Sequence, residues 1–597
     1  MNDAQFEIGR WTLKELLPAH EGAEFDKTLA EFERQVKDFE EIRPQLTPDI
    51  SPADFVEIVQ GYDALWATGH RLGAYAQLWF TEDTQSQPAL SFMGRMDQLS
   101  AEVENRTLFF SLWWKSLDEA VAERLMRASG DYRYFLESLR RFKPHTLSEP
   151  EEKVIKLKNV NGLNALITLY DMITNRFMYQ LEVDGARQTM TREELSVYVR
   201  HPNPDLRAAA YRELLGRVYA EHANTLGQVY SYRVRDWFSE NVQLRHHASP
   251  LSVRNLDNDI PDAATEALLA VCRRNVGLFQ RYFRLKARWL GLPSGQLRRY
   301  DIYAPVVASD KEYTYPDAVN MVLDSLDGFS PTLGGHARRV FSDQHIDAEV
   351  RPGKQSGAFC ASILPGLTPY VLISYNGRAR AVATLAHELG HAIHALMAGQ
   401  HTTLTFHSSL PLAETASVFS EMILTDRLLA EETDVSVRRD ILATKIDDAY
   451  ATVQRQAYFT LFEREAHDLV LKGATTDELA ERYLANLSEQ FGDAVELSDE
   501  FRWEWLSIPH IYHTPFYCYA YAFGQLLVLS LYRRYKAEGE AFKPRYLKIL
   551  AYGGSESPAR ILGEAGIDMN SAEFWQGGFD VIQEMIDELE TIEAVPA

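Results

Sequence analysis

Apolar residues recur at helical spacing along most of this chain. In Phe25–Ile42, Ala89–Leu117 and Ala264–Leu290, apolar positions lie three and four residues apart, with charged residues between them. Glycine and proline cluster where such segments end, as at His201–Asp205 and Gly291–Gly295. The pattern therefore predicts a mainly α-helical protein.

Two places break this pattern and predict strands. Phe177–Val183, followed by Asp184 and Gly185, is typical of a strand that ends in a tight turn. Farther along, Gly357–Leu364 and Pro369–Tyr375 predict two strands joined by a turn that contains proline and glycine. A small β-sheet should therefore directly precede the helix that follows residue 378.

Chain length and one internal break predict the domain organisation. With 597 residues the chain is too long for one compact core, because single cores stop growing at about 250–300 residues. The break at His201–Asp205 predicts a boundary between an N-terminal helical region, residues 1–200, and a second domain, residues 201–597.

Composition and charge exclude several classes of function. The net charge is −24, from 61 basic and 85 acidic residues, and such a surface repels nucleic acid and anionic membranes. The three cysteines are far apart and form no C-x-x-C pair, so neither a disulfide framework nor a cysteine metal site is expected. No apolar run of about 18 residues and no signal-peptide pattern occurs, which predicts a soluble cytoplasmic protein.

The chemistry of the chain is concentrated in His387-Glu388-Leu389-Gly390-His391, which has the H-E-x-x-H pattern. An apolar face over residues 382–396 predicts a helix, and Gly399 predicts where this helix ends. The two histidines lie four residues apart on one face and can bind one metal ion. Glu388 lies about 100° round the helix, where a general base for water belongs. The alternative is that the two imidazoles merely pack or form surface hydrogen bonds.

A third ligand is needed, and the sequence offers three candidates. His394 does not occupy the position at which the metzincin pattern places its third histidine, so that pattern is excluded. Pro411 can open a second helix, on which Glu414 and Glu421 would share one face in a stretch of small and apolar residues. Buried carboxylates need a partner, and a zinc ion is a strong one. Alternatively, both glutamates line the outer face of that helix.

These features occur together with further signatures, in order over about residues 300–525. The signatures are Tyr300-Asp301-Ile302-Tyr303-Ala304-Pro305, Ser356-Gly357-Ala358-Phe359-Cys360, Thr384-Leu385-Ala386, Ile508-Pro509-His510 and Phe516-Tyr517-Cys518-Tyr519-Ala520-Tyr521. In this ensemble the chain resembles the thimet-oligopeptidase family of metallopeptidases, family M3, and within it the oligoendopeptidase F branch.

The resemblance implies a role for each residue of the motif. It makes His387, His391 and Glu414 the ligands of one zinc ion per chain. Glu388 becomes the general base, and Glu421 a carboxylate that orients a ligand histidine, since such histidines usually donate their other N–H to an acceptor. The chain departs from the family pattern at Ala381, where relatives usually carry an aspartate.

The resemblance also places His510 and the tyrosines after it at the scissile carbonyl. A tetrahedral oxyanion needs hydrogen-bond donors, and an imidazole or a phenol can provide them. Tyr517 and Tyr521 share a face if this stretch is helical, so we rank both above Tyr519. The spacing between the histidine and these tyrosines differs somewhat from that of relatives, and Pro515 lies within it.

Substrate binding and overall architecture follow from the same resemblance. An edge strand beside the site should pair with the substrate backbone, and Gly357, Ala358 and Phe359 are its best candidates because small residues let a second backbone approach. The alternative is an ordinary internal hairpin. The implied fold is a large two-lobed helical body with a small β-sheet beside the active-site helix and the zinc ion in a deep cleft or channel.

The predicted function is that of a zinc metalloendopeptidase, which hydrolyses internal bonds of short unfolded oligopeptides. Three alternatives remain open. A dipeptidyl carboxypeptidase-type exopeptidase would use the same zinc site with an anchor for the substrate's C-terminal carboxylate. A zinc hydrolase of non-peptide amides and a catalytically silent helical scaffold or peptide-binding module are the other two.

Overall fold

A computed structural model describes residues 6–292, 294–306 and 311–594. Most of these residues are helical, which confirms the predicted mainly α-helical class. Within the described part of the chain, no helix is both long enough and apolar enough to cross a membrane.

The α-helices follow one another along the chain, with the longest connection, from Ser342 to Ala379, containing three strands. The first thirteen are α1 Ala23–Glu41, α2 Pro52–Glu82, α3 Gln87–Ser116, α4 Glu119–Met126, α5 Arg133–Arg141, α6 Glu149–Asn161, α7 Leu163–Thr174, α8 Arg192–Val199, α9 Pro204–Tyr211, α10 Ala223–Trp237, α11 Pro250–Asn258, α12 Asp262–Arg274 and α13 Val276–Trp289. The others are α14 Tyr315–Phe329, α15 Pro331–Ser342, α16 Ala379–Met397, α17 Thr403–Phe406, α18 Leu410–Ala413, α19 Ser417–Glu431, α20 Val435–Ala449, α21 Arg455–Leu471, α22 Thr476–Phe491, α23 His510–His513, α24 Tyr519–Glu538, α25 Lys543–Ala551, α26 Pro558–Glu564 and α27 Ala572–Ala594.

Seven short strands in the described ranges form small sheets. They are β1 Tyr179–Val183, β2 Ala186–Met190, β3 Leu297–Arg298, β4 Ile346–Asp347, β5 Phe359–Ala361, β6 Tyr370–Leu372 and β7 Val495–Glu496. β1 and β2 form the predicted hairpin, and β3 pairs in parallel with β7. In the third sheet, of order β4-β6-β5, β5 is antiparallel to β6 and lies at the edge. The two predicted strands before the metal motif therefore exist, although both are shorter than predicted.

Contacts divide the chain into two compact units, each made of three chain segments. Unit 1 comprises Met1–Lys143, Asp310–Glu431 and Leu531–Asp568, and unit 2 comprises Pro144–Ser309, Glu432–Ser530 and Met569–Ala597. The domain boundary near residue 200 is a division along the sequence, and it stays a prediction.

Unit 1 contains an aromatic core built by its first five helices. The ring of Phe55 in α2 stacks on that of Trp114 in α3 at 5.1 Å, and both side chains are fully buried. Tyr370 and Leu372 of β6 belong to the same core. Because fully burying a large apolar side chain contributes about 1.5–3 kcal/mol, this core holds the small sheet firmly against α1–α5.

Unit 2 contains buried charged groups that are paired with one another. Lys286 in α13 lies 2.7 Å from a carboxylate oxygen of Asp447 in α20, and Arg299 donates to Glu504 at 2.6 Å. Isolated charges are strongly disfavoured inside a protein, so each of these groups depends on its partner.

The predicted helix Ala264–Leu290 is two helices rather than one. α12 and α13 are separated at Asn275, whose side-chain amide donates to the carbonyl of Val271 at 2.9 Å and to Gln576 at 2.8 Å. Asparagine competes with the helical backbone for hydrogen bonds, which gives a physical reason for the break.

Helix α16 carries the H-E-x-x-H motif and is held on several sides within unit 1. It packs against α14, α15, α19 and α25, and also against β5 and β6. The predicted apolar face is buried, including Val382, Leu385, Leu389 and Ile393. The helix ends at Met397, just before Gly399, as the sequence predicts. A small sheet thus lies beside the helix of the motif.

Candidate metal centre and active site

His387 and His391 project from one face of α16 toward a common point. Their Nε2 atoms lie 3.2 Å apart, with the ring planes nearly perpendicular. The i,i+4 spacing on a helix produces this convergence.

Glu414 completes a group of three candidate metal ligands. One of its carboxylate oxygens lies 3.5 Å from Nε2 of His387 and 3.5 Å from Nε2 of His391. A tetrahedral zinc ion with bonds of about 2.0–2.1 Å separates its ligand atoms by about 3.3–3.5 Å. The three side chains therefore have both the chemistry and the spacing of a zinc site, and they could hold a metal ion.

Glu414 reaches this position because the backbone turns there. Leu410–Ala413 is a short helix with proline in its first turn, and the next helix begins only at Ser417. The prediction that Glu414 and Glu421 share one helix is therefore wrong. Ser417 donates from its hydroxyl to the Glu414 carboxylate at 2.5 Å, which fixes the side chain.

Gly390 of the motif allows this turn to approach α16. A Cβ atom at Gly390 would lie 2.5 Å from Cα of Ser417 and 2.6 Å from the carbonyl oxygen of Ala416. Tyr546 of α25 holds the turn from another side, because its buried hydroxyl donates to the carbonyl of Thr415 at 2.9 Å. The glycine between the two histidines thus leaves room for the turn that positions Glu414.

Glu421 lies behind His387 and sets its tautomer. Nδ1 of His387 lies 2.7 Å from the Glu421 carboxylate, which can only accept, so Nδ1 carries the proton. In the neutral ring Nε2 then has a free lone pair, and this is the atom that faces His391 and Glu414. A histidine that binds a metal needs this arrangement.

We expect the Glu421→Ala variant to bind zinc about 10- to 100-fold more weakly than the unchanged protein, because the carboxylate that orients His387 is lost. Competition against a chromophoric chelator measures this affinity. Glu431→Ala on the same helix is the matched control, since Glu431 is exposed and pairs with Arg427 instead. Equal zinc affinities for the two variants would contradict the role of Glu421.

The centre is rich in negative charge. Glu388 is buried beside the ligands, and this burial, together with the charges of Glu414 and Glu421, raises its pKa to about 7 despite the opposing effect of His387. Burial lowers the pKa of His387, but the hydrogen bond and charge of Glu421 outweigh it and raise the pKa to about 9. Three carboxylates around two imidazoles favour a bound cation.

A cavity of about 370 Å³ opens onto this centre, and we call it the metal cavity. His387, Glu388 and His391 line it from α16, and Ala358–Cys360 line it from the edge of the sheet. Gly357, just before this edge, has a left-handed backbone with φ of +89°. The strand proposed to bind substrate and the H-E-x-x-H motif therefore share one cavity.

His394 is excluded from the ligand group by its position. It is buried and lines the metal cavity, but the group of metal-ligating atoms in the described residues contains His387, His391 and Glu414. Burial lowers the pKa of His394 to about 4, so its ring is neutral at pH 7.

His510, Tyr517 and Tyr521 form one cluster within unit 2. The ring of His510 is parallel to that of Tyr517 at 5.8 Å, and the Tyr521 hydroxyl lies 3.3 Å from Nε2 of His510. Tyr519 does not join them: it is fully buried, and its hydroxyl accepts a hydrogen bond from Asn258 at 2.9 Å.

Glu463 holds the loop that precedes Tyr517, and it was not identified from the sequence. Both of its carboxylate oxygens accept from the backbone N–H of Phe516, at 3.0 and 3.2 Å, while Phe516 has a left-handed φ of +59°. Burial raises the pKa of Glu463 to about 8. The sequence feature that could have identified Glu463 is an acidic residue on the apolar, buried face of α21, between Phe459 and His467.

Comparison with protein-family models gives two matches. Residues 197–581 match the model described as Peptidase family M3, and residues 113–179 match a model described as Oligopeptidase F. The first match covers more than half of the chain and includes every residue of the metal centre.

Similar proteins extend over nearly the whole chain. The Oligoendopeptidase F homolog of Borreliella burgdorferi is 26% identical over an alignment of 603 positions, which covers 98% of each chain. A crystallised protein from Chlamydophila abortus has a TM-score of 0.86, with 24% identity over 98% of each chain. Oligoendopeptidase-F from Enterococcus faecium has a TM-score of 0.71, with 22% identity over 96% of this chain and 99% of that one. The two structures support the fold alone.

Proposed function

Because the chain belongs to peptidase family M3, we propose that it is a zinc endopeptidase that hydrolyses internal bonds of short, unfolded oligopeptides. As a member of this family it is a metallopeptidase that acts on oligopeptides. The observation that carries the finer proposal is the ligand triangle of His387, His391 and Glu414, beside a buried Glu388 on the wall of one cavity. We further propose that residues 201–597 form the catalytic domain, in support of which the family match covers 197–581.

The residues of the centre divide the chemistry between them. His387, His391 and Glu414 would hold the zinc ion, and the bound ion would supply Lewis acidity toward a water molecule and a peptide carbonyl. Glu388 takes a proton from the water as the new C–O bond forms, and it delivers that proton to the amine as the C–N bond breaks. Glu421 keeps His387 in the tautomer that binds the ion.

We propose that His510, Tyr517 and Tyr521 donate hydrogen bonds to the oxyanion that forms at the carbonyl. The arrangement within their cluster supports this role, since an imidazole and a phenol hydroxyl lie 3.3 Å apart and can donate side by side. The buried Tyr519 is left out of the proposal, because its hydroxyl already binds Asn258.

We expect Tyr521→Phe to lower kcat by about 100-fold with little change in KM, since an oxyanion donor acts mainly in the transition state. Steady-state kinetics on a quenched fluorescent peptide measures both constants. Tyr519→Phe is the matched control and should leave kcat nearly unchanged. A Tyr521→Phe variant as active as this control would remove Tyr521 from the mechanism.

The substrate backbone is proposed to pair with the outer edge of β5. Among the described residues, β5 pairs with β6 alone, so its other edge has no strand partner. Gly357, Ala358 and Phe359 stand at the start of this edge, beside the motif. Main-chain pairing binds peptides with little regard to sequence, which suits an enzyme for varied oligopeptides.

A peptide blocked by an acetyl group at one end and an amide at the other tests the proposed function. The purified protein should cut such a peptide at internal bonds, lose this activity to a chelator and regain it with zinc. Cleavage restricted to peptides with a free C-terminus, with release of dipeptides, would favour the dipeptidyl carboxypeptidase alternative. A zinc-loaded protein that cleaves no peptide would leave a hydrolase of other amides.

A further inference from the structure

Unit 1 contains a second cavity, of about 400 Å³, in addition to the metal cavity. Its walls come from α1, α2 and α3 on one side and from residues 361–363 on the other. Apolar side chains predominate, among them Phe32, Leu65, Trp66 and Met96. A volume of about 300–1,000 Å³ is typical of sites that bind small molecules.

The second cavity is adjacent to the metal cavity. Ser362 and His407 line both of them. The chain segment that contains β5 also leads from one to the other, because Ala358–Cys360 line the metal cavity and Ala361–Ile363 line the second. A peptide that follows this segment out of the metal cavity would thus run toward the second cavity.

The number of residues between the two linings sets the length of peptide that would reach both cavities. An extended chain advances about 3.3 Å per residue, so the three residues from Cys360 to Ile363 span at most about 10 Å. A substrate that pairs with the edge of β5 and is cut beside Glu388 would therefore place a residue three or four positions from the cleaved bond at the second cavity.

The lining favours an uncharged side chain. His70 and His407 meet edge to face with ring centres 6.4 Å apart, and burial lowers the pKa of both, that of His407 to about 4. Both rings are therefore neutral at pH 7. Asp97, a charged member of the lining, is exposed rather than buried. A charged substrate side chain would lose its hydration in this cavity, whereas an apolar side chain carries no such cost.

Two glycines line this space, and a Cβ atom at Gly69 would lie 3.3 Å from the ring of Phe32. Gly69 and Gly73 lie in the interior of α2 and line the second cavity. Glycine in a helix interior is destabilising relative to alanine. A Cβ atom at Gly73 would have no heavy atom within 4 Å, so close packing does not require glycine there. What the missing side chain provides is volume within the cavity.

We propose that the second cavity is a substrate subsite, which binds one bulky apolar side chain, aromatic or long aliphatic, three or four residues from the cleaved bond. This distal subsite rests on the proposed peptidase function and adds a determinant of specificity to it. Main-chain pairing along β5 holds the peptide, and the distal subsite selects its register.

Variants that fill the distal subsite from two sides test this inference. Gly73→Leu adds a side chain from α2, and Ser100→Leu adds one from α3, where Ser100 is exposed on the wall of the cavity. Gly61→Leu is the matched control, because Gly61 lies in α2 with no atom within 4 Å of its Cβ position and does not line the cavity. Thermal unfolding establishes that each variant is folded.

The experiment compares peptides of one sequence in which a single distal residue is tryptophan or alanine, placed three or four positions before or after the cleaved bond. The zinc-loaded protein should cleave the tryptophan peptide with a kcat/KM about 10- to 100-fold higher, at positions on one side of the bond. Gly73→Leu and Ser100→Leu should lose this preference, whereas Gly61→Leu should keep it. Peptides too short to reach the subsite should be cut equally by all four proteins.

Equal cleavage of tryptophan and alanine peptides at every distal position would overturn the inference, and so would a preference that survives both filling variants. Either result would leave chelator-sensitive cleavage intact and the proposed function untouched. Failure of the unchanged protein to cleave any peptide would instead contradict the proposed function itself, so the two outcomes are distinguishable.

Discussion

The Glu388→Gln variant is expected to bind one zinc ion per chain and to cleave peptides on the order of 10³–10⁴-fold more slowly than the unchanged protein. Glutamine has nearly the same shape as glutamate, so it can occupy the same buried place in α16. It cannot accept a proton from water, however, and it cannot return one to the leaving amine.

Zinc analysis and steady-state kinetics on the same preparation measure both halves of this expectation. Full zinc content and an unchanged thermal midpoint serve as the controls, because they show that the ligands and the helix are intact. Turnover close to normal in the glutamine variant would exclude Glu388 as the general base.

Loss of a proposed ligand is expected to have the second large effect. Glu414→Ala and His391→Ala should both lose zinc on dialysis, with peptidase activity at background, because two remaining side chains do not hold a structured zinc site. Glu414 is partly exposed, at 41% of its side-chain surface, so its removal should not unfold the protein.

His394→Gln is the matched control for these ligand variants. His394 extends the motif by a further histidine, yet it is absent from the group of converging ligand atoms. The glutamine variant should therefore keep one zinc ion per chain. Zinc loss in this variant, together with zinc retention in Glu414→Ala, would make His394 the third ligand and overturn the assignment of Glu414.

The metal-binding helix is the part of the site that local sequence predicts well. The spacing of His387 and His391, the apolar face beneath them and the glycine after the helix are all properties of adjacent residues. The position of the third ligand, in contrast, depends on residues that are distant in the sequence. Glu414 reaches the histidines through a turn whose approach depends on Gly390 and Tyr546, and the same turn separates it from the helix of Glu421.

The cluster around His510 was predicted only in part for a similar reason. Tyr517 precedes α24, which begins at Tyr519, so the expected helical i,i+4 relation does not hold. The rings of Tyr517 and Tyr521 nevertheless meet at 5.3 Å, whereas the Tyr519 hydroxyl binds Asn258. The support of the loop by Glu463 follows no local rule, because it depends on a left-handed Phe516 and on a carboxylate from another helix.

The distal subsite could not be predicted from the sequence at all. Its walls come from helices near the N-terminus and from residues 361–363, which lie far apart along the chain. Glycines at positions 69 and 73 look like ordinary interruptions of a helical pattern until the space beside them is seen.

Titration of the metal-free protein with zinc, with peptide cleavage followed by mass spectrometry, tests the central claim most directly. Cleavage of a mixed peptide library should be absent without metal, rise in proportion to added zinc and reach its plateau at one equivalent per chain, with products from internal bonds. Cleavage that is independent of zinc, or a protein that binds one equivalent and cuts no peptide, would contradict that claim.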